Sequence, residues 1–344
     1  MTISEFAPSR VGGRLAVPQT VLLCETDFSP GPQRPPKMPL RATLALGKRA
    51  VFDKGLTSHR MMKIGWVGRL KRLAMTLAIG VVAVLLLAAA AIRYFENSFI
   101  YFPPRYPEGF IPAPAFPLPV EDVWLTTRDN IRLNAWYLPS PGSGKALLWF
   151  HGNAENIGYG LGQTIFYSRL GVNVLAVDYR GYGRSEGSPN ESGVYRDADA
   201  AYDYLVQVRH IQTKNIFILG KSLGGAVAID LASRRACGGL IVQSSFTSVR
   251  DMARRTFRIP LFEYIPKSRF DSLAKIRQVQ APILIVHGTR DETVPFSMGQ
   301  RLFTAAPEPK FFFPVEGAGH NDVMEIGGDQ LLQRFRSFLE RTAA

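Results

Sequence analysis

Two short stretches of the chain contain the Gly-x-Ser-x-Gly pattern, in which a serine hydroxyl can serve as a nucleophile. One lies at 183–187 around Ser185, and the other lies at 220–224 around Ser222. At the glycine and serine frequencies of this chain, about 0.16 matches are expected by chance, so the pattern alone does not select the nucleophile. Ser185 lies in a loop with no helix directly behind it, and we therefore predict a structural role for it.

Ser222 has the sequence context that a nucleophilic serine needs. The apolar run at 216–219 predicts a buried strand, and the small residues at 224–232 predict a helix, so the serine occupies the turn between them. Gly220 and Gly224 have no side chains that would collide in so sharp a turn. We predict that Ser222 is the nucleophile. This assignment excludes reactions in which a carboxylate makes the first attack on the substrate.

A serine hydroxyl is a weak nucleophile at neutral pH, so it needs a general base and a third group that orients the base. Among the five histidines, His320 lies in a glycine-containing loop after the apolar run 311–315, where its side chain can reach the tips of the strands. Asp291 directly follows another apolar run and is the candidate acid. Glu292 and Asp322 remain alternatives for that role.

Acyl transfer also needs hydrogen-bond donors for the oxyanion that forms on the carbonyl oxygen. The backbone N–H of Leu223 is one candidate, because it lies at the start of the predicted helix. The backbone N–H of Asn153 is the other, in the polar turn 151–156 that follows the apolar run 146–150. The sequence contains no nucleotide-binding or metal-binding motif, and we predict that the reaction uses no cofactor and no metal.

The elements that position these residues alternate along the chain. An antiparallel hairpin is predicted at 123–126 and 131–137, and it is followed by short apolar runs typical of strands buried on both faces. These runs lie at 146–150, 172–177, 216–219, 240–242 and 283–286. Helical patterns with one apolar face separate them. This alternation predicts an α/β fold with a mostly parallel sheet and helices on both faces.

An apolar segment precedes this domain. Residues 73–92 carry no charge over 20 positions, which is the length that a helix needs to cross a bilayer. Five cationic residues precede the segment closely and two follow it, so the positive-inside rule predicts a cytoplasmic N-terminus and an extracytoplasmic catalytic domain, periplasmic in a bacterium. A cleaved signal peptide is the alternative, because small residues at 88–91 offer a cleavage site.

The remaining segments differ in composition. Residues 1–60 are rich in proline and are predicted to be disordered or not translated, with Met61 or Met62 as the true start. Residues 61–72 form a basic cytoplasmic flank, 93–119 an aromatic and proline-rich spacer, and 120–344 the catalytic domain. The net charge of +13 is concentrated in residues 1–72, which hold 13 Lys or Arg and 4 Asp or Glu. No basic stripe follows, so nucleic acid is not a predicted partner.

Five motifs together closely resemble those of the α/β-hydrolase-domain serine hydrolases. They lie in order at 151–156, 178–187, 220–225, 287–291 and 317–322. The most similar group is the membrane-associated one that includes protein depalmitoylases, lysophospholipid lipases and fungal bud-emergence hydrolases. The resemblance implies an eight-stranded, mostly parallel sheet, and a catalytic triad in the order nucleophile, acid, histidine. That order corresponds to Ser222, Asp291 and His320.

The insertion at 245–273 can form a short cap, because aromatic and cationic side chains alternate in it. It is either an acyl-binding lid with a positive rim or ordinary packing under a loop. We predict a membrane-anchored serine hydrolase that cleaves esters or thioesters of small-molecule or lipid-like acyl compounds. A serine peptidase of the same fold is the alternative, and a catalytically inactive scaffold is a third class. The sequence does not indicate an oligomeric state.

Overall fold

The computed structural model describes residues 54–106, 119–257 and 262–341. The chain separates into two units, Met1–Lys71 and Arg72–Ala344. The described part of the first unit, 54–71, is entirely helical. Of the segment predicted to be disordered or untranslated, 1–53 lies outside the described residues, whereas 54–60 is helical. The second unit contains the sheet and every element that packs on it.

The first helix, α1 (Lys54–Tyr94), contains the predicted apolar segment. Its part from Gly65 to Tyr94 is 30 residues long and contains an 18-residue stretch with a mean hydropathy of 2.7, in which no residue is buried. A helix of this length and composition can cross a membrane. It extends beyond the predicted 73–92 at both ends, because the flanking Lys and Arg residues are good helix formers and no proline interrupts the sequence. The short helix α2 (Glu96–Ile100) follows at once.

The domain is built on one sheet of eight strands. In chain order they are β1 (Glu121–Thr126), β2 (Arg132–Leu138), β3 (Ala146–Phe150), β4 (Asn173–Val177), β5 (Ile216–Lys221), β6 (Gly239–Gln243), β7 (Ile283–Gly288) and β8 (Lys310–Val315). The spatial order is β1-β2-β4-β3-β5-β6-β7-β8. Strand β2 is antiparallel to both β1 and β4, and all other pairs are parallel. The predicted fold and the predicted hairpin are confirmed.

Helices cover both faces of the sheet. They are α3 (Leu161–Ser168), α4 (Glu191–Asp203), α5 (Leu223–Arg234), α6 (Val249–Phe257), α7 (Ser272–Lys275), α8 (Phe296–Ala305) and α9 (Val323–Arg341). Strands β3 to β7 are buried along their whole length, so their side chains feed two apolar clusters, one on each face. Because the six strands β3 to β8 run parallel to one another, their carboxyl ends meet at one edge. The predicted site residues follow those ends.

The region of the predicted cap contains α6, a 3-10 turn at Phe262–Tyr264 and α7. Residues 258–261 of this region and residues 107–118 of the predicted spacer lie outside the described part of the chain. The part of the predicted spacer that is described before that gap packs against the domain, and Tyr101 within it is almost completely buried.

Candidate active site

Ser222 lies in a strained turn between β5 and α5. Its backbone has φ +54° and ψ −114°, in a region that residues other than glycine rarely occupy. Neighbouring groups hold this conformation: Ser222 N–H donates to the Gln243 carbonyl at 2.9 Å, and the Ser222 carbonyl accepts from Ser245 Oγ at 2.8 Å. The hydroxyl is therefore presented at the carboxyl end of β5 by a backbone that has little freedom to move.

Two glycines make this turn possible. A Cβ atom at Gly220 would lie 2.0 Å from the Gly224 carbonyl oxygen, and one at Gly224 would lie 2.2 Å from the Phe150 carbonyl oxygen. Both distances are far below van der Waals contact with rigid backbone atoms, so neither position tolerates a side chain. The close approach that the sequence predicts for these glycines is present.

The structure brings Ser222, His320 and Asp291 into one chain of hydrogen bonds. Ser222 Oγ lies 3.1 Å from His320 Nε2, and His320 Nδ1 lies 2.8 Å from Asp291 Oδ2. An ionised carboxylate only accepts, so Nδ1 carries the proton in this arrangement, and Nε2 is free to accept the serine hydroxyl proton. The residues are far apart in sequence and come from the elbow after β5 and the loops after β7 and β8.

Both oxygens of the Asp291 carboxylate accept hydrogen bonds. Its Oδ1 accepts the backbone N–H groups of Thr293 at 3.0 Å and Val294 at 2.7 Å. Burial alone would raise its pKa, but hydrogen bonds from His287 and His320 outweigh burial and hold the pKa of Asp291 well below its usual range. Asp291 is thus ionised at neutral pH, as an acid that orients an imidazole has to be.

The two alternative acids lie elsewhere. Asp322 Oδ1 accepts the backbone N–H of Gly319 at 2.7 Å, which shapes the loop that carries His320. Glu292 is exposed. Of the three acids considered from the sequence, Asp291 is the one whose carboxylate contacts His320 within the described structure.

His287 is a site residue that the sequence did not single out. Its ring is fully buried, and its Nε2 donates to the Val294 carbonyl at 2.9 Å and lies 3.3 Å from Asp291 Oδ2. His287 and His320 therefore both contact Oδ2 of the Asp291 carboxylate. The position of His287 four residues before Asp291, at the end of a buried strand, was a signal that could have indicated this contact.

The loop after β3 carries Asn153, whose N–H is one predicted oxyanion donor. Among the hydrogen bonds of the described residues, none has the N–H of Asn153 or of Leu223 as donor. Next in the loop, Glu155 Oε2 accepts the Gly152 N–H at 3.3 Å, and Oε1 pairs with the Lys221 ammonium. Lys221 is almost completely buried and directly precedes Ser222. The sequence did not indicate this ion pair, which joins the loop to the elbow.

Ser185 has none of these surroundings. Its side chain is fully buried, its Oγ donates to the Asp178 carbonyl at 2.8 Å, and the same oxygen accepts the Asn134 N–H at 2.9 Å. Burial and these two hydrogen bonds to the backbone are what a structural serine requires.

The described residues contain no group of three or more His, Cys, Asp or Glu side chains that could hold a metal ion.

Comparison with known proteins identifies relatives of this chain. A family model described as serine aminopeptidase, S33, matches residues 143–272. Protein bem46 of Schizosaccharomyces pombe is 34% identical over 273 residues, which cover 75% of this chain and 90% of bem46. The alpha/beta hydrolase domain-containing protein WAV2 of Arabidopsis thaliana is 32% identical over 273 residues, which cover 72% of this chain and 89% of WAV2. The chain belongs to the α/β-hydrolase-domain family.

A solved structure agrees with this assignment at the level of the fold. The esterase Pf2001 of Pyrococcus furiosus superposes on this α/β hydrolase with a TM-score of 0.60 at 23% identity, covering 70% of this chain and 99% of the esterase. The resemblance inferred from the five motifs is therefore confirmed. The family model ends at residue 272, so its match includes Ser222 and stops before Asp291 and His320.

Proposed function

We propose that this α/β hydrolase cleaves carboxylic esters or thioesters through an acyl-enzyme. In this proposal Ser222 is the nucleophile, His320 the general base, and Asp291 the acid that orients the base. The observation that carries it is the unbroken chain of hydrogen bonds from Ser222 Oγ through His320 to Asp291. A buried structural serine, such as Ser185, does not need a base.

The proposed reaction has two halves. In the first, His320 Nε2 takes the hydroxyl proton while Ser222 Oγ bonds to the acyl carbon, and the imidazolium then protonates the leaving alkoxide or thiolate as its bond to carbon breaks. In the second, water attacks the acyl-enzyme, gives its proton to His320, and the acid leaves as Ser222 Oγ is reprotonated. One water is consumed, and no oxidant or cofactor is required. Ionised Asp291 stabilises the imidazolium in both halves.

The backbone N–H groups of Asn153 and Leu223 are the proposed oxyanion donors. They follow β3 and β5, which are adjacent in the sheet, and Leu223 begins α5, whose N-terminal N–H groups favour negative charge. Each donor is expected to act on the same carbonyl oxygen from a different loop. Removal of one such donor typically costs about 100- to 1,000-fold in turnover.

We further propose that the domain works at a membrane surface. Residues 73–92 span the bilayer once from a cytoplasmic flank at 61–72, and the domain at 120–344 lies outside. Within the second unit, contacts join the end of α1 and the start of α2 to the cap region. Arg93 Nη1 in α1 donates to the Ile265 carbonyl at 3.3 Å. The carboxylate of Glu96 in α2 accepts the N–H groups of Lys267 at 2.6 Å and Ser268 at 2.5 Å. The cap is thereby held next to the residues that leave the membrane.

The charge and polarity of the cap favour an acyl substrate from that surface. Cationic side chains are exposed around it, at Arg250, Arg254, Arg255, Lys267 and Arg269. Cations at this position attract anionic headgroups. The same segment buries the aromatic side chains of Phe246 and Phe270, and these are the apolar surface against which we propose that the acyl chain lies. We therefore propose a lipid-like acyl substrate of low polarity.

A serine peptidase is the second candidate, because the matching family model carries a serine aminopeptidase description. The same chain of hydrogen bonds would serve amide hydrolysis. The full chain, purified in detergent, would be assayed with p-nitrophenyl esters from acetyl to palmitoyl and with aminoacyl p-nitroanilides. We expect turnover of the longer esters. Turnover of the anilides alone would favour the peptidase, and activity limited to acetyl esters, unchanged by anionic vesicles, would contradict the membrane-derived substrate.

A further inference from the structure

The residues that follow α1 form a strap along the domain, which we define as residues 95–106. The strap bonds to the domain through its main chain: the Pro104 carbonyl accepts the Gly183 N–H at 3.0 Å and Asn156 Nδ2 at 3.2 Å. Tyr101 in the strap has 2% of its surface exposed. The chain leaving the apolar helix is thus packed into the domain at several points.

One of these points is Asn153, the residue whose N–H is a proposed oxyanion donor. Its side-chain Nδ2 donates to the Ile100 carbonyl at 2.7 Å, and its Oδ1 accepts the Phe102 N–H at 3.0 Å. The Tyr182 hydroxyl also donates to Oδ1, at 2.7 Å. The carboxamide therefore binds the strap main chain through one donor and one acceptor, as neighbouring strands in a sheet bind each other. Together with the Tyr182 hydroxyl, these three hydrogen bonds fix the orientation of the side chain.

The same loop is held at a second position. Gly158 N–H donates to the Tyr106 hydroxyl at 2.7 Å, and a Cβ atom at Gly158 would lie 2.5 Å from the Tyr106 ring. Between these two positions, Ala154 has φ +56°, a conformation that costs a residue with a side chain about 1 kcal/mol or more. A loop strained in this way keeps its shape only where its surroundings hold it, and the strap supplies part of that restraint.

We propose that the strap and the Asn153 side chain are positioning elements that hold the Asn153 N–H toward the reacting carbonyl oxygen. The inference rests on the function proposed above. Its consequence is that the segment leaving the membrane helix is part of the active-site framework: if the strap detaches, the strained loop relaxes and transition-state stabilisation falls, while Ser222, His320 and Asp291 stay in place.

The sharpest test removes a single backbone N–H. Phe102→Pro abolishes the donor to Asn153 Oδ1, whereas Phe102→Ala loses the same side chain and keeps the donor. Tyr101 already has φ −109° and ψ 132°, the extended conformation that a residue before proline prefers, so the preceding residue does not have to change for the proline. With the full chain in detergent and p-nitrophenyl esters, we expect kcat for Phe102→Pro about 10- to 100-fold below that of Phe102→Ala, with a similar KM.

Asn153→Ala provides the second arm of the test. It removes both strap bonds but keeps its own backbone N–H, and we expect a loss of kcat of the same size. Adding Phe102→Pro to Asn153→Ala should cause little further loss, because the two substitutions remove the same contact. Asn153→Asp, which keeps the acceptor for Phe102 N–H, should recover part of the rate.

Several outcomes would overturn the inference. Equal kcat for Phe102→Pro and Phe102→Ala would mean that the strap does not position the loop. A Phe102→Pro variant with a raised KM and an unchanged kcat would mean the same. If Phe102→Pro does not fold, Tyr106→Phe replaces it, because this variant removes the acceptor of Gly158 N–H and keeps the ring; an unchanged kcat there contradicts the proposal equally. If wild-type protein shows no turnover that depends on Ser222, the proposed function has failed instead, independently of the strap.

Discussion

The chain carries the same pattern twice, as Gly-Arg-Ser-Glu-Gly around Ser185 and as Gly-Lys-Ser-Leu-Gly around Ser222, and the two serines have opposite surroundings. Ser185 Oγ is enclosed and bonded to two backbone groups. Ser222 is half-buried, and its Oγ lies 3.1 Å from an imidazole nitrogen. The two serines therefore differ in the acceptor of the hydroxyl proton. For Ser185 the acceptor is a peptide carbonyl, and for Ser222 it is a histidine nitrogen that can take the proton.

The cations that precede the serines differ in the same way. Arg184 is half-buried at the surface and pairs with Asp122 at 2.8 Å. Lys221 is almost completely buried and pairs with Glu155, which in turn accepts the Gly152 N–H. Around Ser222 the polar groups are connected to the reacting loops, whereas around Ser185 they tie the loop to the sheet. Substitutions at the two serines and at the two cations should therefore separate effects on activity from effects on stability.

The largest effect is expected for Ser222→Ala. Without the hydroxyl no acyl-enzyme forms, so we expect hydrolysis to fall by about 1,000-fold or more and fluorophosphonate labelling to disappear. The glycines and the bonds to Gln243 and Ser245 keep the elbow in place, so the unfolding midpoint should change little. The measurement is labelling and ester turnover of the full chain beside its thermal unfolding.

Ser233→Ala is the matched control for this variant. Ser233 lies at the far end of α5 and donates to the Asp230 carbonyl, away from His320. It should be labelled like the wild type. If the Ser222 variant keeps its label, the comparison between the two serines is reversed and the assignment of the nucleophile is wrong.

The next effect is expected for Asp291→Asn. An amide at this position presents N–H groups to His320 Nδ1 and favours the tautomer with its proton on Nε2, which cannot accept the serine proton. We expect a loss of about 10,000-fold in kcat at neutral pH, as for other triads whose orienting acid is replaced by its amide. A loss of less than tenfold would show that Ser222 is activated by another group.

Asp291→Asn also has a consequence for stability in acid. The pKa of Asp291 is held below its ordinary value of 3.8, so its contribution to folding is fully present above that value and is lost as the pH falls toward the lower folded-state pKa. The wild type should therefore lose stability between about pH 4 and more acidic conditions. Unfolding midpoints across this range should fall less steeply for the variant, because it lacks this titrating group.

The contrast between the serines also shows how far the sequence could predict the site. The elbow depends on contiguous residues, an apolar strand followed by small helical residues, and such a local pattern identifies Ser222. The bond between Asn153 and the strap joins residues 51 positions apart, and the Lys221–Glu155 pair joins residues 66 positions apart. Asn, Lys and Glu are common in loops, so no periodicity indicates which distant group each one meets.

The same reasoning applies to the ends of elements. The apolar run predicted a helix at 73–92, because hydropathy falls where charged residues begin. The backbone continues the helix to Lys54 and Tyr94, since hydrogen bonding within the helix depends on helix propensity and not on hydropathy. His287 was missed for another reason: a buried histidine at a strand end indicates packing until its distance from Asp291 is known.

A smaller effect, on stability, is expected for Lys221→Met. This substitution leaves the Glu155 carboxylate without its cation in a partly buried site, and we expect the free energy of unfolding to fall by about 3–5 kcal/mol. The double variant Lys221→Met/Glu155→Gln should recover much of this loss, because no unpaired charge remains. Urea unfolding of the full chain measures both variants. No recovery in the double variant would indicate that the pair acts through packing of the lysine side chain.

Arg184→Met is the comparison variant at the other serine, and it tests the contrast directly. Arg184 and Asp122 are partly exposed, so water screens their attraction, and we expect a change of less than about 1 kcal/mol. If Arg184→Met destabilised the protein as much as Lys221→Met, burial would not be what distinguishes the two cations.

A modest effect on stability, and none on activity, is expected for Ser185→Ala. The substitution leaves the Asn134 N–H without its acceptor and the Asp178 carbonyl without its donor, both in a fully buried site, so we expect the free energy of unfolding to fall by about 1–3 kcal/mol. The folded variant should hydrolyse esters and take up the fluorophosphonate label at the wild-type rate, because Ser185 does not contact His320. Ser188→Ala, at an exposed position in the same loop, is the control and should change neither property. Two outcomes would contradict the distinction between a structural Ser185 and a reactive Ser222. One is a Ser185 variant that unfolds at the same urea concentration as the wild type. The other is a Ser185 variant that stays folded and is no longer labelled.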